Sequence, residues 1–148
     1  MKTSAEHRQK GTEVVELRVA ARPENVALAR LALNGVATAA GAPPAVVADL
    51  KLAVSEACAN AVQHAYAGAH SDRERQVTIR FAIGDRQLVV EVEDDGLGFE
   101  ASTRGSWHEE DAEGPGLGMG LTIVRSVTDV LEIESGARGS RVVFSKGF

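Results

Sequence analysis

From Thr12 to Ala20 the chain alternates, with Val15, Leu17 and Val19 separated by Glu16 and Arg18. A period of two predicts a strand with one buried face. Pro23 suits the first turn of a helix, and the apolar-rich stretch from Val26 to Leu33 carries that helix towards Gly41. Gly41-Ala-Pro-Pro breaks the chain, and a second helix is predicted from about Pro44 to Ala67. Along it Val47, Leu50, Val54, Ala57 and Ala61 recur at three- and four-residue spacing as one apolar stripe. At about 100° per residue, Glu56 lies opposite the start of that stripe, and Asn60 and His64 step round towards its edge. A polar row beside a buried row is what a cleft wall requires.

Val77 to Phe81 and Leu88 to Asp94 read as two strands, joined as a hairpin near Gly84-Asp85. Residues 95–115 show no period and predict a long loop, a feature that is usually functional in a compact domain. Leu117 to Thr128 predicts a third helix. Val130–Glu134 and Ser140–Ser145 predict a second hairpin around Gly136-Ala-Arg-Gly139. The order is strand, two helices, two strands, loop, helix, two strands. Hairpins dominate, so the expected fold is an α+β, two-layer α/β sandwich with a mixed, mainly antiparallel sheet and its helices on one face. Residues 1–11 are polar and charged and are expected to be a flexible tail before a single domain over 12–148.

Composition narrows the function classes. A chain of 148 residues is long enough for a real core, and 44% hydrophobic with 25% charged residues is ordinary for a soluble domain. The net charge of -5 argues against a nucleic-acid or anionic-membrane surface, both of which reward clustered Lys and Arg. The single cysteine, Cys58, excludes an internal disulfide and sits among small apolar residues, as a buried spectator would. With no membrane-length apolar run and no signal-peptide pattern, the expected location is the cytoplasm.

Three motifs carry candidate chemistry. Glu56 and Asn60 are one helical turn apart and share a face. An amide oxygen is a hard neutral ligand for Mg²⁺, and the carboxylate beside it can accept a proton or hold a metal-bound water. The same pair is also compatible with a plain solvated helix face. Asp94-x-Gly96-x-Gly98 follows a strand; the carboxylate can accept from an exocyclic amine of adenine, and the same residues also suit a simple turn. Gly114-x-Gly116-x-Gly118-x-Gly120-Leu121 opens a helix, where backbone N–H groups bind phosphate, the alternative being a hinge and a helix start. A dinucleotide-binding fingerprint fails on context, because an acidic loop precedes these glycines and not a strand. No Gly-x4-Gly-Lys-Ser/Thr phosphate loop and no His-Arg-Asp or Asp-Phe-Gly signature occurs. His64 and Tyr66 read as helix-end residues packing beside the site.

In combination these motifs resemble the GHKL ATP-binding superfamily of histidine-kinase catalytic domains, gyrase, Hsp90 and MutL. Glu56-x3-Asn60 is similar to its N box, Asp94-x-Gly96-x-Gly98 to its G1 box and Gly116-x-Gly118-x-Gly120-Leu121 to its G2 box. Gly139-Ser140 stands where a Gly-Thr pair usually supports the adenine site. Within the superfamily, the run from Glu56 to Tyr66 and the short chain look most like the anti-sigma-factor serine kinases.

The resemblance implies a Bergerat, histidine-kinase-like ATPase fold, ATP and Mg²⁺ as ligands, and two partners. One is a sigma factor, sequestered from RNA polymerase; the other is a STAS-domain anti-anti-sigma protein, phosphorylated on Ser or Thr. It implies a homodimer as well. By match, Glu56 is the general base, Asn60 the Mg²⁺ ligand and Asp94 the adenine reader. Gly96, Gly98, Gly116, Gly118, Gly120, Leu121 and Ser140 shape the nucleotide pocket. The chain departs from the family in its acidic lid, where Arg104 is the only cation, and in Ser140 replacing Thr. The alternative function is an ATP-binding regulatory module without useful kinase activity. A detached histidine-kinase domain fits less well, since none of His7, His64, His70 or His108 lies in a dimerisation hairpin.

Overall fold

The computed structural model describes residues 12–66, 75–95, 119–136 and 139–148. The expected tail over 1–11 and the expected loop beyond residue 95 lie outside the described residues. The chain runs β1 (Glu13–Ala20), a short 3-10 turn (Pro23–Asn25), α1 (Val26–Ala39), α2 (Pro44–Tyr66), β2 (Gln76–Gly84) and β3 (Gln87–Asp94). The later described elements are α3 (Met119–Val127), β4 (Val130–Gly136) and β5 (Gly139–Gly147). Asn25 Nδ2 donates to the carbonyl of Ala20 at 2.8 Å, which ties the entry of α1 to the end of β1.

The five strands form one sheet in the order β1-β2-β3-β5-β4. Every pairing is antiparallel, the antiparallel limit of the expected sheet. The first hairpin turns one residue later than the glycine suggests. Gly84 stays paired with Gln87, and Asp85-Arg86 make the two-residue turn, with Arg86 at φ 54°. Pairing through Gly84 keeps the strands in register, and that register decides which side chains face inward.

It places Val15, Phe81, Val90, Phe144 and Leu131 in one row across the sheet, and Leu17, Ile79, Val92, Val142 and Ile133 in the next. On these rows lie the buried faces of α1 (Ala29, Leu33, Ala37), of α2 (Leu50, Val54, Ala57, Ala61) and of α3 (Leu121, Val124). The apolar stripe read along the second helix is thus the face buried in the core, and all three helices cover one side of the sheet. Cys58 lies in the same core, and burial pushes its thiol up to about 12.

The outer side of the sheet carries charges in alternation. Arg80 reaches Glu16 at 2.9 Å, Glu93 at 3.0 Å and Glu91 at 3.3 Å, while Arg141 meets Glu91 and Glu134. Arg18 and then Arg80 hold the Glu16 carboxyl below the usual carboxylate range. These side chains range from half-buried to exposed on a solvent-facing surface, so each pair adds little to stability.

One residue fixes how two helices lie on the inner side. Lys146 Nζ sits 3.3 Å from Asp49 near the start of α2 and donates to the carbonyl of Val127 at the end of α3 at 3.0 Å. The start of one helix and the end of the other therefore meet, and α2 and α3 run antiparallel.

Truncation of Phe144, fully buried at the centre of the sheet, is expected to lower unfolding stability by about 3–5 kcal/mol. Urea denaturation of Phe144→Ala should show a lower midpoint at an unchanged slope.

Candidate functional site

The third inner row of the sheet is different from the two beneath the helices. It reads Val19, Val77, Asp94, Ser140 and Ser135 from edge to edge. On β3 the inward positions are Leu88, Val90 and Val92, and the next is a carboxylate, Asp94, at 4% exposure. A buried carboxylate is unfavourable unless donors meet it. Ser140, paired opposite on β5 and itself 5% exposed, donates its hydroxyl to Asp94 Oδ2.

The backbones approach closely here too. Gly139 has φ +125°, and a Cβ on it would collide with the carbonyl of Asp94. Only glycine satisfies both conditions. A cleft of about 450 Å³ opens at this end of the sheet, lined by Asp94, Gly139, Ser140, Ser135, Glu134 and Arg141 among others. That volume falls in the range of small-molecule sites.

The second cluster is on the helices. Glu56, Asn60 and His64 follow one another at successive turns of α2, each half-buried. His64 Nε2 lies 3.1 Å from Asn60 Oδ1. Glu56 points at the first turn of α3: a Cβ built on Gly120 would lie 2.8 Å from Glu56 Oε2. Gly120 therefore makes room for a carboxylate, and the N–H groups that open a helix favour negative charge there. Leu121, the neighbouring pocket residue by resemblance, keeps its side chain in the core at 2% exposure and anchors α3.

The two clusters converge through the direction of α2. Its Asp49 end is held to Lys146, which pairs with Leu88 at the opposite end of β3 from Asp94. Residues 50–61 of α2 contribute its buried stripe, so the helix must run over the sheet towards Asp94. About 16 Å of helix separates Asp49 from Asn60 at roughly 1.5 Å per residue. About 20 Å of strand separates Leu88 from Asp94 at roughly 3.4 Å per residue. Helix and strand thus bring Asn60 and Asp94 to the same end of the domain.

Chemically, the sheet cluster offers a carboxylate acceptor to an amine donor in an open cleft. The helix cluster offers one amide oxygen with a carboxylate a turn away. Among the described residues, no group of three or more His, Cys, Asp or Glu converges on a metal. One neutral oxygen suits a hard cation such as Mg²⁺, which completes its shell with water and phosphate oxygens. Gly96, Gly98, Gly116 and Gly118, like Arg104, Trp107 and His108, lie outside the described residues. Two features escape the sequence reading. The His64–Asn60 hydrogen bond was signalled by their four-residue spacing, and the burial of Asp94 by its place in the alternation that begins at Leu88.

Two substitutions separate these roles. Gly120→Ala meets only the mobile end of Glu56, and Ala is the better helix former by up to about 1 kcal/mol. The Tm is expected to hold or rise by about 2–4 °C, while the Glu56 carboxylate moves, as its side-chain ¹³C NMR resonance would report. Ser140→Ala removes one donor from buried Asp94 and is expected to lower stability by about 1–3 kcal/mol in urea denaturation.

Known proteins resemble this chain in sequence and in fold. The family described as histidine kinase-like ATPase domain matches residues 19–146. The serine-protein kinase RsbW of Bacillus subtilis (strain 168) is 37% identical over 130 residues, spanning 83% of this chain and 79% of that protein. RsbW of Listeria monocytogenes serovar 1/2a (strain ATCC BAA-679 / EGD-e) is 36% identical over 125 residues, spanning 80% of this chain and 78% of that protein. A crystal structure of the RsbU and RsbW domains of Rv1364c from Mycobacterium tuberculosis superposes with a TM-score of 0.66 at 22% identity. That match covers 92% of this chain and 32% of the other, and at such identity it speaks for the fold. The chain belongs to the histidine kinase-like ATPase domain family, among the relatives of the RsbW serine-protein kinases.

Proposed function

We propose that this protein is an anti-sigma factor with ATP- and Mg²⁺-dependent protein serine/threonine kinase activity. It holds a sigma factor, and it phosphorylates a STAS-domain anti-anti-sigma protein. The observation that carries the reading is the convergence of Asp94–Ser140 on the sheet with Glu56 and Asn60 on α2, in a chain 37% identical to an RsbW kinase.

In this reading Asp94 accepts from the exocyclic amine of adenine, and Ser140 holds the carboxylate in place. Asn60 Oδ1 would hold Mg²⁺, and the cation would supply neutralisation of phosphate charge. Glu56 takes the proton of the partner's hydroxyl as its oxygen bonds to the γ-phosphorus. The bond from that phosphorus to the β–γ bridging oxygen breaks, and ADP leaves. Phosphoryl transfer depends chiefly on such positioning and charge stabilisation. Gly98, Gly116, Gly118 and Gly120 complete the pocket with backbone N–H groups, as the family motif implies.

The proposed partner surface is the exposed face of α1. Leu31 is 70% and Leu28 47% exposed there, and Arg30 with Lys51 of α2 lines a neighbouring groove. Such a face suits a partner with apolar and acidic side chains. Homodimerisation belongs to the same reading, and the side of the sheet that no described helix covers leaves surface for it.

Glu56→Ala is expected to keep ATP affinity while transfer to a STAS acceptor falls by about 10²–10⁴-fold. Asp94→Asn should instead weaken ATP binding itself by about tenfold or more. Radiolabel transfer beside calorimetric nucleotide titration separates the two, and equal losses in both assays would defeat this division of roles. Chelation of Mg²⁺ should abolish transfer. ATP binding with an acceptor that stays unphosphorylated would favour the regulatory module without kinase activity.

A further inference from the structure

We propose that His64 is a positioning residue for the cation site: its Nε2–H fixes the Asn60 carboxamide with the oxygen in the ligand position. The inference rests on the reading of Asn60 as the Mg²⁺ ligand and adds the group that makes this side chain competent.

A carboxamide presents two ends of nearly equal shape, an acceptor oxygen and a donor NH₂, and only the oxygen can bind a cation. Rotation by half a turn exchanges them, so an asparagine with no directing neighbour offers the wrong end for part of the time. In this structure Asn60 Oδ1 faces His64 Nε2 at 3.1 Å. An amide oxygen only accepts, so the ring nitrogen carries the hydrogen and donates it. Against that Nε2–H tautomer a flipped amide would set NH₂ against N–H, two donors in contact. A ring held in its Nε2–H tautomer therefore selects one of the two amide orientations, and that tautomer is part of the proposal.

The bond uses one lone pair of Oδ1 and leaves the second for a cation. Both residues are half-buried and one turn apart on α2, so the contact does not depend on a mobile surface side chain. Outer-shell donors that orient a metal-binding side chain are a general feature of metal sites. Glu56, one turn before Asn60, is directed against Gly120 by a separate contact. The two functional side chains of α2 thus have different orienting neighbours.

The test measures Mg²⁺ dependence of nucleotide binding in the full-length protein, with a fluorescent ATP analogue titrated in EDTA and then with increasing Mg²⁺. His64→Leu is expected to raise the Mg²⁺ concentration for half-maximal binding about tenfold, with affinity in EDTA unchanged. His64→Gln, whose amide nitrogen occupies the place of Nε2, should recover most of the loss. His64→Asn, whose amide stops at the place of Nδ1, should not. Asn60→Ala is the reference, and thermal melts confirm folding of each variant.

If His64→Leu leaves the Mg²⁺ dependence intact while Asn60→Ala shifts it, the positioning role is wrong and the cation ligand stands. Equal effects of Leu and Gln would assign His64 to packing and also overturn the proposal. An unchanged Mg²⁺ dependence in Asn60→Ala would remove the ligand assignment itself, and the role of His64 with it.

Discussion

Lys146 constrains two helices with one ammonium group. By meeting Asp49 and the carbonyl of Val127 it joins the beginning of α2 to the end of α3, so the helices must run in opposite directions. A lysine on an inward position of β5 would ordinarily be out of place in a core layer. Here its charge is matched by a carboxylate and a helix-terminal carbonyl, the side of the helix dipole that favours cations. From that anchor, seven residues along α2 lead to Glu56 and seven residues back along α3 lead to Gly120, and these two meet. The contact that shapes the helix half of the site is therefore set from its far end.

The sheet half follows a different rule. Two rows of large apolar side chains supply the burial that stabilises the domain, and the third row gives up part of that burial at Asp94, Ser140 and Ser135. Pairing Asp94 with Ser140 meets the carboxylate with a donor whose place is fixed by strand register. Gly139 then lets the backbone of β5 close on that of β3. The sheet can carry a buried acid because its neighbours are held by ladder hydrogen bonds and not by loops.

Much of this was legible in the sequence because the elements are regular. The period of two from Val15 to Val19 and the apolar stripe from Val47 to Ala61 each correspond to one buried face. The shared face of Glu56 and Asn60 also follows from helical spacing alone. Less legible was anything that joins distant segments. Ser140 meets Asp94 across 46 residues of sequence, and Gly120 meets Glu56 across two helices. Neither contact leaves a local period. The turn at Asp85-Arg86 was displaced for a related reason, since cross-strand pairing of Gly84 outweighed its local preference for a turn.

The burial of Cys58 has a practical consequence. It is the only cysteine in the chain, and a thiol raised to about 12 supplies almost no thiolate to an electrophile at neutral pH. Met119 opens α3 at 82% exposure, one residue from the glycine that faces Glu56. Met119→Cys would give maleimide chemistry a single addressable thiol beside the Glu56–Gly120 contact. A fluorophore attached there would follow ligand arrival in real time, without removal of the native cysteine.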